Sequence, residues 1–160
     1  MPVFQLNDTF VFPDPALAEP DGLLAVGGDL HPERIVQAYV HGIFPWYTEK
    51  DPILWWSPDP RMVLIPKEFK RNKSLGQVVR NGGFEVYFDA AFPEVIEACS
   101  TAKRKGQQGT WIIAEMKDAY IRLFELGIAH SVEVRKNGKL AGGLYGLLLG
   151  KVFFGESMFH

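Results

Sequence analysis

Ala129-His130-Ser131-Val132-Glu133-Val134-Arg135, then Lys136-Asn137-Gly138-Lys139, then Leu140-Ala141-Gly142-Gly143-Leu144-Tyr145-Gly146-Leu147-Leu148-Leu149, then Gly150, then Val152-Phe153-Phe154-Gly155-Glu156 is the stretch that decides the fold. It predicts three strands joined by tight turns. Asn-Gly between apolar runs is a strong two-residue hairpin signal, and Gly150 supplies the second turn. Strands joined this closely run antiparallel. Upstream, Ala114 to Leu126 reads as the strongest helix, with Ala119, Tyr120, Leu123 and Phe124 in one stripe and Gly127 as its stop. Lys103 to Gly109 reads as a polar loop, and Pro93 starts a helix through Ala98. Phe84 to Phe88 alternates like a half-buried strand, Ser74 through Arg80 is a short helix, and Met62-Val63-Leu64-Ile65 reads as a strand ended by Pro66.

Residues 1–62 have a different texture, rich in Pro, Gly and aromatic rings, with one clear helix. Pro32 suits its first turn, Ile35, Val36 and Tyr39 share a face, and Gly42 ends it. Three of the four tryptophans and four prolines fall between Phe44 and Arg61. Proline fixes φ and removes a donor, so this run is expected to be neither a regular helix nor a central strand. Its rings suit either the wall of a site for a flat or apolar ligand or the core of a small domain. The expected fold is α+β: a small N-terminal domain over 1–62, then an open antiparallel sheet with flanking helices over 63–160.

Of 160 residues, 47% are hydrophobic, enough for a packed core. The net charge of −2 gives no global pull toward nucleic acid, so any RNA contact must come from local patches. Two exist: Lys67, Lys70, Arg71 and Lys73 with Arg80 nearby, and Lys103, Arg104 and Lys105. One cysteine, Cys99, rules out an internal disulfide and lies in an apolar helical pattern that predicts a buried, inert thiol. The chain carries no apolar run of membrane-spanning length and no leader pattern, which predicts a cytoplasmic setting.

His31, His41, His130 and His160 are scattered, with no Ser-Asp or Cys partner and no metal-ligand spacing. Neither a nucleophile–base pair nor a zinc site is predicted. His130 reads as a hydrogen-bonding residue at a strand start. Gly27-Gly28 before Asp29 reads as a turn, since no Lys-Ser/Thr follows as a P-loop requires. Gly142-Gly143-x-x-Gly146 lies between strands, either as a bulge or where another backbone or a ligand comes close.

Six ordered blocks carry a resemblance: Gly22-Leu23-Leu24-Ala25-Val26-Gly27-Gly28-Asp29-Leu30; the run from Gly42 through Trp46 and from Leu54 through Arg61; Gly109-Thr110-Trp111-Ile112; Ala129 through Val134; Gly142 through Gly146; and Phe154-Gly155-Glu156-Ser157-Met158-Phe159. Together they resemble the bacterial leucyl/phenylalanyl-tRNA–protein transferases over nearly the whole chain. The resemblance implies that the second domain is N-acetyltransferase-like. It implies transfer of Leu or Phe (Met less well) from aminoacyl-tRNA to acceptor proteins beginning with Arg or Lys, marking them for N-degron proteolysis. The ester is already activated, so no cofactor, ATP, metal or acetyl-CoA is expected. An α-amine of pKa about 7.7–8.0 has a useful neutral fraction near pH 7, and the task is alignment and proton management.

By matching blocks, the resemblance implies Glu156 as the residue orienting the amine. It implies Trp46, Trp111 and Tyr120 as substrate contacts, Leu144 and Met158 as the lining of an apolar pocket, and Lys73, Arg80, Lys103 and Arg104 as phosphate contacts. Two departures stand out. Leu75-Gly76-Gln77-Val78-Val79 lacks the family's denser basic run. Family members also continue past the Gly-Glu-Ser-Met-Phe block, carrying an acid–amide relay pair in an Ile-Asp-Cys-Gln-like strand. The sheet is therefore expected to lack its last elements, leaving an open edge and apolar surface. Two alternatives stand beside the transferase: a catalytically incomplete aminoacyl-tRNA- or peptide-binding fragment, and a small-molecule acyltransferase. The latter would need a phosphate-cradling loop that the sequence does not offer.

Overall fold

Proline at the first turn and glycine just beyond the last frame α1 (Pro32–Val40). The His31 ring nitrogen accepts the Glu33 amide at 3.3 Å, and Gly42, at φ +74°, turns the chain out so that the Ile43 amide reaches the Ala38 carbonyl. In the computed structural model, which describes residues 3–102 and 110–160, β1 (Phe4–Leu6) and β2 (Leu23–Gly27) precede this helix. β3 (Phe44–Pro45), β4 (Leu54–Trp56), α2 (Lys73–Asn81), β5 (Phe84–Phe88), α3 (Phe92–Thr101), α4 (Ala114–Glu125), β6 (Ala129–Lys136), β7 (Lys139–Leu149) and β8 (Val152–Phe159) follow. The architecture is mixed α+β, with two four-stranded sheets ordered β1-β2-β4-β3 and β5-β6-β7-β8. No helix among the described residues is long and apolar enough to cross a membrane.

The second sheet is antiparallel throughout. Lys136 pairs with Lys139 across Asn137 and Gly138, both at positive φ, as the Asn-Gly signal predicts. One face, marked by Ala129, Ser131, Tyr145 and Leu147, is covered by α3 and α4. There Phe92 stacks on Phe124 with centroids 4.6 Å apart, and the Tyr145 ring meets those of Phe92 and Tyr120 edge-on. The buried Glu133 carboxylate of β6 accepts the amides of Ala90 and Ala91 and the Ser131 hydroxyl. It thereby supplies an acceptor at the start of α3, whose own N-cap, Ala91, has none. His130 holds Asp89 at 2.8 Å, a hydrogen-bonding residue as expected. Cys99 is buried on α3.

Three expectations fail. Met62-Val63-Leu64-Ile65 is not a strand but exposed, non-regular chain, Met62 fully so. An apolar run becomes a strand only where a neighbour supplies a hydrogen-bonding edge, and none of the described residues does so here. β5 is a strand, but exposed on both faces rather than half-buried. Among the described residues it pairs only with β6, and the helices lie over the other three strands. Conversely, Leu54–Trp56 is an internal strand inside the proline-rich run, because the window between Pro52 and Pro58 keeps its donors. Pro45 lies, as proline should, in an edge strand.

A single apolar core joins the two sheets, running from Leu24, Ile35, Tyr39, Ile43 and Trp55 to Ile112, Met116, Tyr120 and Leu123. Trp55 is fully buried, its indole N–H donating to the Gly27 carbonyl at 2.9 Å. The buried Arg34 pairs with Asp29 and donates to the Asn7 and Thr9 carbonyls, tying the N-terminal segment to α1. Its guanidinium lies against Gly28, where a Cβ would come within 3.1 Å. The Gly-Gly-Asp turn is thus a clip for this arginine.

Candidate active site

Glu156 owes its orientation to an irregularity in β8. Tyr145 pairs with Ser157 and Gly146 with Gly155, so Glu156 is the extra residue of a β-bulge. In a straight strand it would face away from Ser157, off the helix-covered face. The bulge turns it in toward the helices, where the Tyr120 hydroxyl of α4 donates to its Oε2 at 3.3 Å. Tyr120 in turn shares a 2.6 Å hydrogen bond with the Tyr39 hydroxyl of α1. Gly146 permits the bulge: a Cβ there would lie 2.1 Å from the Phe154 carbonyl oxygen. The glycine motif therefore serves both purposes foreseen for it, a bulge and the close approach of another backbone.

Burial pushes the Glu156 carboxyl up to about 7, while hydrogen bonds from Tyr39 and Tyr120 and the charge of Arg61 pull it partway back. Burial, followed by the Glu156 charge, raises both tyrosines well above their ordinary value, so they remain neutral donors. Arg61 is held by the Gly42 carbonyl at 2.7 Å and lies 4.8 Å from the Phe44 ring centroid. The result is a carboxylate that changes protonation near neutrality beside two hydroxyls and one cation. Such a group can hold an amine and take its proton.

The fold also opens a cleft of about 900 Å³, whose lining includes none of Tyr39, Arg61, Tyr120 and Glu156. Trp46 and Trp56 form one wall, with ring centroids 5.7 Å apart and the Trp56 indole donating to the Trp46 carbonyl at 2.6 Å. Trp111, Ile113 and the first turn of α4 form the other, and Glu97 and Lys117, paired at 2.7 Å, lie along its polar side. The tryptophans thus divide between the two roles the sequence allowed: Trp55 is core, while Trp46, Trp56 and Trp111 face the cleft.

The predicted residues fall into separate groups. Trp46 and Trp111 share the cleft, and Glu156 and Tyr120 share the buried network. Leu144 and Met158 are directly opposed across β7 and β8, but on the sheet face away from α3 and α4, where Met158 is 61% exposed. Lys73 and Arg80 lie on α2. There Gly76, the one buried residue of that helix, is flanked by Arg71 Nε and Arg80 Nη1, 3.5 and 3.6 Å from where its Cβ would be. Lys103 and Arg104 lie outside the described residues. The sequence reading missed Tyr39 as a functional group, because one residue on an apolar helix face gives no sign of what its hydroxyl meets. It also missed Arg61 and Trp56, although both lie in blocks it singled out.

Residues 63–160 match the model of the leucyl/phenylalanyl-tRNA protein transferase family, and residues 28–59 match the model of that family's N-terminal domain. A leucyl/phenylalanyl-tRNA–protein transferase of Anaeromyxobacter sp. (strain K) is 59% identical over 159 residues, covering 99% of this chain and 68% of the relative. Transferases of the same name from Desulfatibacillum aliphaticivorans and Pseudomonas putida (strain W619) are 56% and 58% identical, over 99% and 96% of this chain and 68% of each relative. This chain belongs to the leucyl/phenylalanyl-tRNA protein transferase family.

Proposed function

We propose that this chain transfers Leu or Phe, and Met less well, from aminoacyl-tRNA to the N-terminal Arg or Lys of acceptor proteins in the cytoplasm, marking them for N-degron proteolysis. The observation that carries the reading is Glu156 at its bulge, poised near neutral pKa between Tyr39 and Tyr120. The neutral α-amine of the acceptor attacks the ester carbonyl carbon, and a C–N bond forms. Glu156 accepts the proton the nitrogen gives up. The tetrahedral intermediate collapses, the ester C–O bond breaks, and the departing ribose oxygen takes that proton. The ester supplies the driving force, so the chain's task is orientation and proton transfer.

Trp46 and Trp111 offer ring faces for the terminal nucleoside, and stacking on such rings contributes about 1–3 kcal/mol per base. Leu144 and Met158 provide adaptable apolar surface for the Leu or Phe side chain. Lys73 and Arg80, with Lys103 and Arg104, neutralise phosphates. The second sheet with its covering helices is read as N-acetyltransferase-like, following a small first domain over 1–62.

The test is transfer of labelled phenylalanine from Phe-tRNA to a protein beginning with Arg, with a Met-initiated acceptor as control. Label on the Arg acceptor alone is the expected result. Puromycin binding that Trp46→Ala and Trp111→Ala abolish, without any transfer, would instead mark an aminoacyl-tRNA-binding chain. Thermal stabilisation by acetyl-CoA and not by puromycin would overturn the reading in favour of a small-molecule acyltransferase.

A further inference from the structure

The two walls of the tryptophan cleft come from distant parts of the sequence. One is the connection between β3 and β4, carrying Trp46, Tyr47 and Thr48. The other is the end of α3 and the segment from Thr110 into α4. The β3–β4 connection is stiff in itself. Thr48 and Asp51 close it, with the Thr48 hydroxyl donating to the Asp51 carboxylate at 2.6 Å and the Asp51 amide to the Thr48 carbonyl at 2.9 Å. The Trp46 amide donates to Leu54 O at 3.0 Å, and the Trp56 indole grips the Trp46 carbonyl. Trp46 therefore moves with its loop as one body.

Between Trp46 and Pro52 a single side chain, Tyr47, is buried, while Trp46 is 47% exposed. The Tyr47 hydroxyl crosses to α4 and donates a short hydrogen bond to the Glu115 carboxylate. Glu115 occupies the first turn of α4, four residues after Trp111, where the helix N-terminus favours an anionic side chain. The N-cap residue of that helix, Ile113, contributes no side-chain cap of its own. Burial, and then the Glu115 carboxylate, raises the Tyr47 hydroxyl far above the ordinary tyrosine value, so the donor keeps its proton throughout the working pH range.

We propose that Tyr47 and Glu115 are positioning residues that latch the β3–β4 loop to the start of α4 and set the separation of Trp46 from Trp111, and hence the fit of the nucleoside end of the aminoacyl-tRNA. The nucleoside assignment rests on the reading given under Proposed function; the latch itself does not. Neither residue touches the reacting atoms. The pair controls ground-state binding of the RNA end and leaves proton transfer at Glu156 alone, a division that kinetics can resolve.

Tyr47→Phe removes the donor and keeps the buried ring. Glu115→Ala removes the acceptor, and Glu115→Gln restores a neutral one. With the full chain, Tyr47→Phe and Glu115→Ala are expected to raise KM for Phe-tRNA and the Kd for puromycin by about five- to tenfold, part of what one charge-assisted hydrogen bond contributes, with kcat held within about twofold. Glu115→Gln is expected to recover most of that loss. In the unliganded chain carrying fluorotryptophan, the resonances of Trp46 and Trp111 are expected to shift in Tyr47→Phe and Glu115→Ala and to return toward wild type in Glu115→Gln. Unshifted resonances in both disrupting variants would overturn the latch, and so would a kcat that falls as far as the affinity. Shifted resonances in a chain whose wild type binds neither Phe-tRNA nor puromycin would uphold the latch while overturning the nucleoside assignment and the reading beneath it.

Discussion

At Glu156, one carboxyl group combines the catalytic role proposed for it with a stability penalty. Burial raises its pKa from 4.5 to about 7, so between those values the folded chain holds a proton that the unfolded chain has released. Stability from this group is full below about 4.5 and is lost as pH climbs through 7. Glu156→Gln keeps the shape without the charge. It is expected to raise the unfolding midpoint more at pH 8 than at pH 5.5, a gap of roughly 2 kcal/mol in unfolding free energy, measured by denaturant titration at both values. The same variant is expected to lose about 10²–10⁴ in the rate of Phe transfer, the usual contribution of a positioned acid–base group. Wild-type activity is expected to climb with pH through about 7, where Glu156 ionises. That limb should vanish in Glu156→Gln, leaving the limb of the acceptor amine at about 7.7–8.0.

At the scale of elements, the bulge between β7 and β8 is the feature on which the site depends. Gly146 is open to test because its missing Cβ would fall 2.1 Å from the Phe154 carbonyl oxygen, backbone that cannot swing aside like a side chain. Gly146→Ala is expected to cost about 3 kcal/mol, the upper end of overpacking penalties, and to abolish transfer even at temperatures where the variant stays folded. Thermal melts paired with single-turnover transfer would separate those effects. Gly150→Ala, in the turn between the same strands, meets open space and only a positive φ of 61°, so a loss of about 1–2 kcal/mol with activity retained is the control. The β6–β7 turn was legible because Asn-Gly acts locally. The bulge was legible only from the β7 side, as one reading of its glycines, since Val152 to Glu156 reads as one plain strand and the residue displaced there appears only against β7.

Across the whole molecule, charge is arranged locally rather than globally. The net charge is −2, yet Arg71 and Arg80 converge over Gly76 on α2. Replacing either with Gln is expected to weaken tRNA binding about equally for all tRNA sequences and to lower the slope of log K against log salt by about 0.7–0.9 per charge removed, read from titrations at several salt concentrations. A sequence-dependent loss would show that the arginines read bases rather than phosphates. How far the sequence alone reached follows from the range of each interaction. The sequence determined the ends of α1, the stripes of α1 and α4, the glycine stop of α4, the β6–β7–β8 meander and the family blocks, because periodicity, turn chemistry and motif spacing act over a few neighbours. It did not determine that Met62-Val63-Leu64-Ile65 forms no strand or that β5 is exposed on both faces, since both depend on whether another strand or helix lies alongside. Nor did it separate Trp55 from Trp56, neighbours of one residue type that differ only in what packs against them. Tertiary structure alone decided that Tyr39, Tyr120 and Glu156 meet. Their hydroxyls and carboxylate lie on three elements far apart in the chain, and a contact closed by packing two sheets on one core leaves no trace in any local pattern.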